Sequence, residues 1–352
     1  MMLKELSEAM GVSGAENEVR EVILKAIQDH VEDIRIDPMG NVLAVKRGTN
    51  PQPDDPRIMI AAHMDEVGFM VMGVDGDGSI RVAPVGGFDA RILPGLRVLI
   101  GEQRVPAVFT WKPIHLDRSQ KTVSIDRLRL DIGADSREQV NSKVTVGDRA
   151  VFDTRYRQQG RMAMGKAFDD RVGCAVLIEL IRGEPFAHDV HVAFTVQEEV
   201  GLRGASVAAQ AIQPDVAFVL EGTTAHDVPP DEDDPDAPQV SPVTELGKGP
   251  ALTLADRSVI VDRRLLKHLQ QVAAEEQIPY QYKRAMVGGT DAGAIFVSNA
   301  GVPSAVISVP CRYIHSPAAM CNLDDVDATV RLLKAAVARF SSDVLARADE
   351  TE

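Results

Sequence analysis

Glu198 and Glu199 stand side by side at the end of an apolar run, His191-Val-Ala-Phe-Thr-Val-Gln-Glu-Glu-Val-Gly201. Val190, Val192, Phe194 and Val196 alternate along it, the pattern of a buried strand. Adjacent carboxylates where apolar residues lead in are costly unless something cationic receives them. Three more strand-like runs deliver residues that ligate metals: His63 with Asp65, Glu221, and His315. Asp169-Asp170 stands at the start of a helical stretch, and a helix N-terminus tolerates carboxylates. Two imidazoles and three carboxylates suit a dinuclear cation site with a bridging carboxylate. One of the Glu198-Glu199 pair would hold a cation, while its neighbour takes a proton from an activated water. The charge of two divalent cations would balance Asp169, Glu199, Glu221 and a hydroxide, so that many acids can converge in one place.

Each piece alone has a plainer reading. His63-Met-Asp65 puts both side chains on one face of an extended segment. There Asp65 can orient the His63 ring for a metal, or the two can form a simple ion pair. Asp169-Asp170 reads equally as an N-cap and a first-turn acid. Glu198-Glu199 reads as a solvated strand exit, and His315 as an ordinary core or surface histidine. The concurrence at strand ends favours the metal site. His30, His115, His188, His191, His226 and His268 have no comparable setting.

The elements that must position these residues follow from periodicity. Residues 57–62, 190–196, 216–220 and 303–309 read as strands running into His63, Glu198, Glu221 and toward His315. Residues 171–181, 207–212, 263–276 and 326–346 carry apolar positions at helical spacing. Residues 3–31 read as helical with a break at Gly11 and Ser13-Gly14. Asp37-Pro-Met-Gly-Asn41 reads as a tight turn before a strand over 42–45. Strands alternating with helices predict a mostly parallel α/β sheet with crossover helices. Ligands bind at the carboxyl ends of such strands.

From 68 to 161 the texture changes to short β-rich runs punctuated by Asp75-Gly-Asp-Gly78, Pro84-Val-Gly-Gly87 and Gly147-Asp148. This predicts a small all-β domain over 68–161, inserted into a discontinuous α/β domain over 1–67 and 162–352. Residues 227–238, acidic and proline-rich, read as an exposed loop.

Bulk properties narrow the field. Among 352 residues, 38 are basic and 52 acidic, a formal net charge of −14. Such a surface repels nucleic acid and anionic membranes. Cys174, Cys311 and Cys321 form no CxxC pattern and read as buried thiols in a reducing compartment. The N-terminal Met-Met-Leu-Lys-Glu-Leu carries an acid where a signal peptide needs a basic start, and no apolar run is long enough to span a bilayer. The expected location is the cytoplasm.

Six segments then carry a specific resemblance. They are Ala62-His-Met-Asp-Glu-Val-Gly-Phe69, Lys166-Ala-Phe-Asp-Asp-Arg-Val-Gly173, Gln197-Glu-Glu-Val-Gly-Leu-Arg-Gly-Ala205, Leu220-Glu-Gly-Thr-Thr224, Gly288-Gly-Thr-Asp-Ala292 and Ile314-His-Ser-Pro317. In these segments and their order the chain resembles the cytosolic co-catalytic metallo-aminopeptidases, which include tetrahedral, glutamyl and deblocking aminopeptidases. The resemblance implies an α/β/α metallopeptidase domain that cleaves the N-terminal residue from peptides with a free N-terminus. Asp169 would bridge two divalent ions, zinc or cobalt. His63 and Glu221 would complete one site, Glu199 and His315 the other, and Glu198 would be the general base. The β-rich insert would be a dimerisation domain in a homo-oligomer, from a dimer up to a tetrahedral dodecamer. Several family members carry Asp where this chain has Glu221. Rival readings are a metal-dependent deacylase or carboxypeptidase, a metal-independent glycosidase using Glu198 with another carboxylate, and a non-enzymatic assembly module.

Overall fold

The computed structural model describes residues 1–113, 115–116, 124–228 and 243–346. Four parallel strands form its centre, in the order Val190–Thr195, Ile58–His63, Val216–Thr224 and Ser304–Arg312. Every residue of Ile58–His63 is buried, as expected of a strand covered on both faces. Register sets Thr195 beside His63 and Glu221 beside Ser308, so the carboxyl ends of the strands share one edge.

Both margins of the eleven-stranded sheet are antiparallel. On one side lie Val42–Lys46 and Glu32–Ile36. On the other lie Ala319–Asn322, Met162–Gly165 and Arg157–Gln159. Two short strands, Ala251–Thr253 and Gln281–Lys283, attach beside Ser304–Arg312. The sheet is therefore mixed: its middle is parallel, its two margins are antiparallel, and the short attached pair Ala251–Thr253 and Gln281–Lys283 is parallel within itself. Glu32–Ile36 was not evident from sequence because it is an edge strand exposed along its whole length and shows no buried face.

Helix Phe168–Arg182 packs on the central strands and against Leu323–Ala338, Leu3–Glu8 and Asn17–Ile27. Arg203–Ile212 and Asp291–Phe296 pack on one another and on the central strands, away from that group. The result is an α/β/α layering. The last long helix is shorter than the 326–346 expected. It starts at Leu323, capped by the Asn322 side chain, and ends at Ala338, with Ser341 extended and a separate turn over Ser342–Leu345.

Six strands close into an antiparallel barrel between Gly68 and Phe152: Gly68–Val74, Ile80–Val85, Arg129–Asp131, Val105–Phe109, Arg97–Ile100 and Arg149–Phe152. Burial alternates along Val105–Phe109, as a strand with one solvated face requires. Phe69 sits at its heart, with ring centroids of Phe88, Phe109 and Phe152 at 4.7, 4.8 and 5.7 Å. Arg157–Gln159, inside the expected insert, pairs in the large sheet.

Of the acidic stretch 227–238, residues 229–238 lie outside those described; Asp227 itself pairs with Arg312 at 2.5 Å. All three cysteines are free and buried. Among the described residues no helix is long and apolar enough to cross a membrane.

Candidate metal centre

At the shared strand edge the structure gathers His63, Asp65, Asp169, Glu198, Glu199, Glu221 and His315. His63 ends its strand and is 1% exposed. Its Nδ1 lies 3.1 Å from the backbone carbonyl of Asp65. His315 sits in the turn after Ser304–Arg312, and its Nδ1 lies 2.6 Å from the carbonyl of Gly87. A carbonyl can only accept, so each Nδ1 carries a ring hydrogen, and each Nε2 presents a lone pair whenever the ring is neutral.

Those lone pairs face oxygens. His63 Nε2 is 3.3 Å from Asp169 Oδ1 and 3.6 Å from Glu221 Oε2. His315 Nε2 is 3.2 Å from Asp169 Oδ2 and 3.3 Å from Glu199 Oε1. Asp169 thus offers one oxygen to each imidazole. Glu199 Oε1 and Glu221 Oε1 are buried without a hydrogen-bond partner. Acceptors converging on acceptors repel unless a positive charge stands between them. Two ring protons would satisfy the Asp169 oxygens but leave the glutamate oxygens orphaned. Two cations fit the whole donor set, one within reach of His63, Asp169 and Glu221, the other within reach of Asp169, Glu199 and His315.

Titration behaviour has the same origin. Burial pushes Glu199 up to about 8 and Glu221 up to about 7, and raises Glu198 well above the carboxylate range. Burial alone would lower both histidines. The surrounding carboxylates outweigh it, Glu198 and Asp169 foremost at His63, and Asp169 and Glu199 at His315, which rises to about 9. Burial likewise works against the Asp169 carboxylate, yet the two imidazoles hold it far below its ordinary range. The cluster favours any positive charge placed within it.

The backbone is shaped to deliver these groups. Asp169 and Asp170 depart from helical angles at the start of Phe168–Arg182, behind left-handed Ala167, and their peptide bond is cis. Gln197, Leu202 and His315 are also left-handed, conformations that cluster at functional sites. Gly222 lets the two chains meet: a Cβ there would lie 2.9 Å from the Asp169 Cα. Asp170 belongs to none of these ligand groups; it accepts from the backbone N–H of Gly173 at 2.8 Å and of His63 at 3.3 Å. Below them Glu66 is clasped by Lys166 at 2.6 Å and Arg171 at 3.3 Å.

Asp65 does more than face His63. Its carboxylate accepts from Ser13 Oγ at 2.6 Å and from the backbone N–H groups of Glu198 and Glu199 at 3.0 and 3.2 Å. It ties the end of Ile58–His63 to the loop that carries the acid pair. Asn41 does the same from the turn at 37–41, accepting from Val196 N at 2.9 Å and donating to Gly204 O at 3.0 Å. Sequence reading missed Ser13, Asn41 and Gly87 as supports. Only the glycine and turn residues around them hinted at special backbone. Asp291 lies close behind, accepting from Thr195, with Oδ1 unpartnered. The site opens into a cleft of about 600 Å³ lined by Glu198, Glu221, Thr224, Gly288 and Thr290, a size typical of small-ligand clefts. His268, one of the histidines set aside, faces the Ala336 carbonyl elsewhere.

An α/β/α fold with a cluster of this kind at its strand edge defines a metal-dependent hydrolase. A family model described as M42 glutamyl aminopeptidase matches residues 40–332. A putative aminopeptidase from Acetivibrio thermocellus is 38% identical over 338 residues, 96% of this chain and 97% of that protein. A TET aminopeptidase from a marine-sediment Thaumarchaeota archaeon is 37% identical, with a TM-score of 0.90 and 98% of each chain covered. A TET1 peptidase from Pyrococcus horikoshii, whose description states that it assembles into a tetrahedron or a large octahedral shell, is 31% identical. Its TM-score is 0.84, with 96% of this chain and 98% of that one covered. The chain belongs to the M42 glutamyl aminopeptidase family and is a metal-dependent aminopeptidase.

Proposed function

We propose that the enzyme removes N-terminal residues from peptides with two divalent cations, zinc or cobalt, held by five side chains. His63 and Glu221 would hold one, Glu199 and His315 the other, and Asp169 would contribute to both. The observation that carries this is Asp169, with one oxygen turned to each imidazole. When bound, such a pair of ions lowers the pKa of water from about 15.7 toward about 7 and polarises the scissile carbonyl.

The protein's own groups do the rest. Glu198 Oε2 stands 3.9 Å from His63 Nε2 and lines the cleft, outside both ligand sets assigned above. Its carboxylate takes the proton of the attacking water and returns it to the leaving amine. Asp65 is a positioning residue: it fixes the His63 ring and the backbone of Glu198 and Glu199. The turn at Gly288-Gly-Thr290 borders the substrate, a peptide with a free N-terminus.

Chelation with EDTA should abolish hydrolysis of aminoacyl anilides, and added zinc or cobalt should restore it. Activity that survives chelation would contradict the reading. N-acylated peptides should resist cleavage; preference for them would make the enzyme a deacylase.

We extend the reading to assembly. Segments 1–67 and 162–352 serve as the catalytic domain and 68–161 as a dimerisation domain, in a cytoplasmic homo-oligomer. The assemblies of the Pyrococcus horikoshii relative and the exposed Trp111 and Leu116 of the insert support it. A monomer on a sizing column would refute it.

A further inference from the structure

The two cation positions are supported by different parts of the molecule. The body alone supports the first. His63 Nδ1 faces the carbonyl of Asp65, and the His63 backbone N–H donates to Asp170. Glu221 lies inside the strand Val216–Thr224, which pairs on both sides. Among the described residues no hydrogen bond joins the barrel to His63 or Glu221.

The second position leans on the barrel at both of its own ligands. His315 Nδ1 meets the Gly87 carbonyl at 2.6 Å. Gly87 precedes Phe88, whose ring stands in the barrel core beside Phe69 and Phe152. Just past His315 in the chain, the Pro317 carbonyl accepts from Thr154 Oγ1 at 2.8 Å, and Thr154 follows the barrel strand Arg149–Phe152. Next to Glu199, Val200 packs against a cluster of Val12, Val85 and Val151, the last two on barrel strands. Gly86 passes so close that a Cβ there would lie 3.4 Å from the Glu199 Cβ. Phe152 lines a narrow space together with Asp169, Glu199 and His315. A set of metal ligands keeps its geometry only while packing and outer hydrogen bonds hold the side chains. The apolar seam that does so here is small, three buried valines with Met10, Met70, Leu99 and Val200 at their edge. Seams of that kind permit one domain to shift on another.

We propose that Val200, Thr154 and the Gly86-Gly87 turn are positioning residues for the Glu199–His315 cation alone, so that the seating of the barrel on the body sets the occupancy of that site and leaves the His63–Glu221 site filled. It rests on the two-cation reading above. Turnover, which uses both ions, then follows the seat of the barrel.

The test compares wild type, Val200→Ser, Thr154→Val and Val200→Ile. Zinc-free protein is titrated with zinc in a calorimeter, and crystals equilibrated against graded zinc are imaged by anomalous diffraction. Val200→Ser removes the apolar seat, Thr154→Val removes the hydrogen bond to the His315 turn at nearly constant shape, and Val200→Ile keeps the seat. Wild type and Val200→Ile should bind two ions alike. In Val200→Ser and Thr154→Val one affinity should fall about 10- to 100-fold while the other holds, and the peak beside residue 315 should fade before the peak beside residue 63. A general loss of stability would weaken both ions together. Equal weakening of both ions, earlier loss of the peak beside residue 63, or unchanged affinities in both disruptive variants overturns the proposal and leaves the two-cation reading intact. Wild type that binds one ion or none overturns that reading and the proposal with it.

Discussion

The α/β body and the barrel solve opposite problems. The body buries unbroken apolar strands between helix layers and spends its polar groups at one edge, where parallel strands end together. The barrel closes on itself, alternates along its strands and fills its centre with phenylalanine. It contributes one atom to a histidine of the site, the Gly87 carbonyl at His315. Converging charge needs open strand ends, which a closed barrel does not offer. What the barrel offers is a rigid wall against which His315 is oriented.

Four variants probe this contrast. Glu198→Gln should lower kcat by about 10²–10⁴-fold while metal content by atomic absorption stays that of wild type. Loss of metal instead would make Glu198 a ligand. Phe69→Ala should destabilise the barrel by about 3–5 kcal/mol, read by chemical denaturation with Phe88, Phe109 and Phe152 left around a cavity. A second transition confined to the insert would mark barrel and body as separate folding units; one shared transition would mark them as coupled.

Gly222→Ala inserts a methyl against the Asp169 backbone. Such overpacking costs about 1–3 kcal/mol, and here it should also weaken metal binding in a calorimetric titration. Unchanged affinity would mean that Asp169 does not hold the ions. Asp65→Asn should reduce metal affinity about 10- to 100-fold. Affinity equal to wild type would limit Asp65 to holding the loop that follows.

The sequence made the body legible because its chemistry sits at strand ends. Apolar runs leading into His63, Glu198 and Glu221 could be read directly, and the family resemblance then implied the roles proposed for them. The supports were hidden for a physical reason. Gly87 reaches His315 across 228 residues and Ser13 reaches Asp65 across 52, and a backbone carbonyl or a lone hydroxyl leaves no pattern. Glycine-rich punctuation marked 68–161 as β-rich, but short alternating strands do not announce closure. Nor does the sequence show that Arg157–Gln159 rejoins the large sheet, since that depends on its hairpin partner Met162–Gly165 and on Ala319–Asn322 beyond.

The most direct test of the account is anomalous diffraction from crystals grown with zinc. Two peaks should stand on either side of the residue 169 carboxylate, one against the imidazole of residue 63 and one against that of residue 315. A single peak, or two that share no carboxylate, would contradict it.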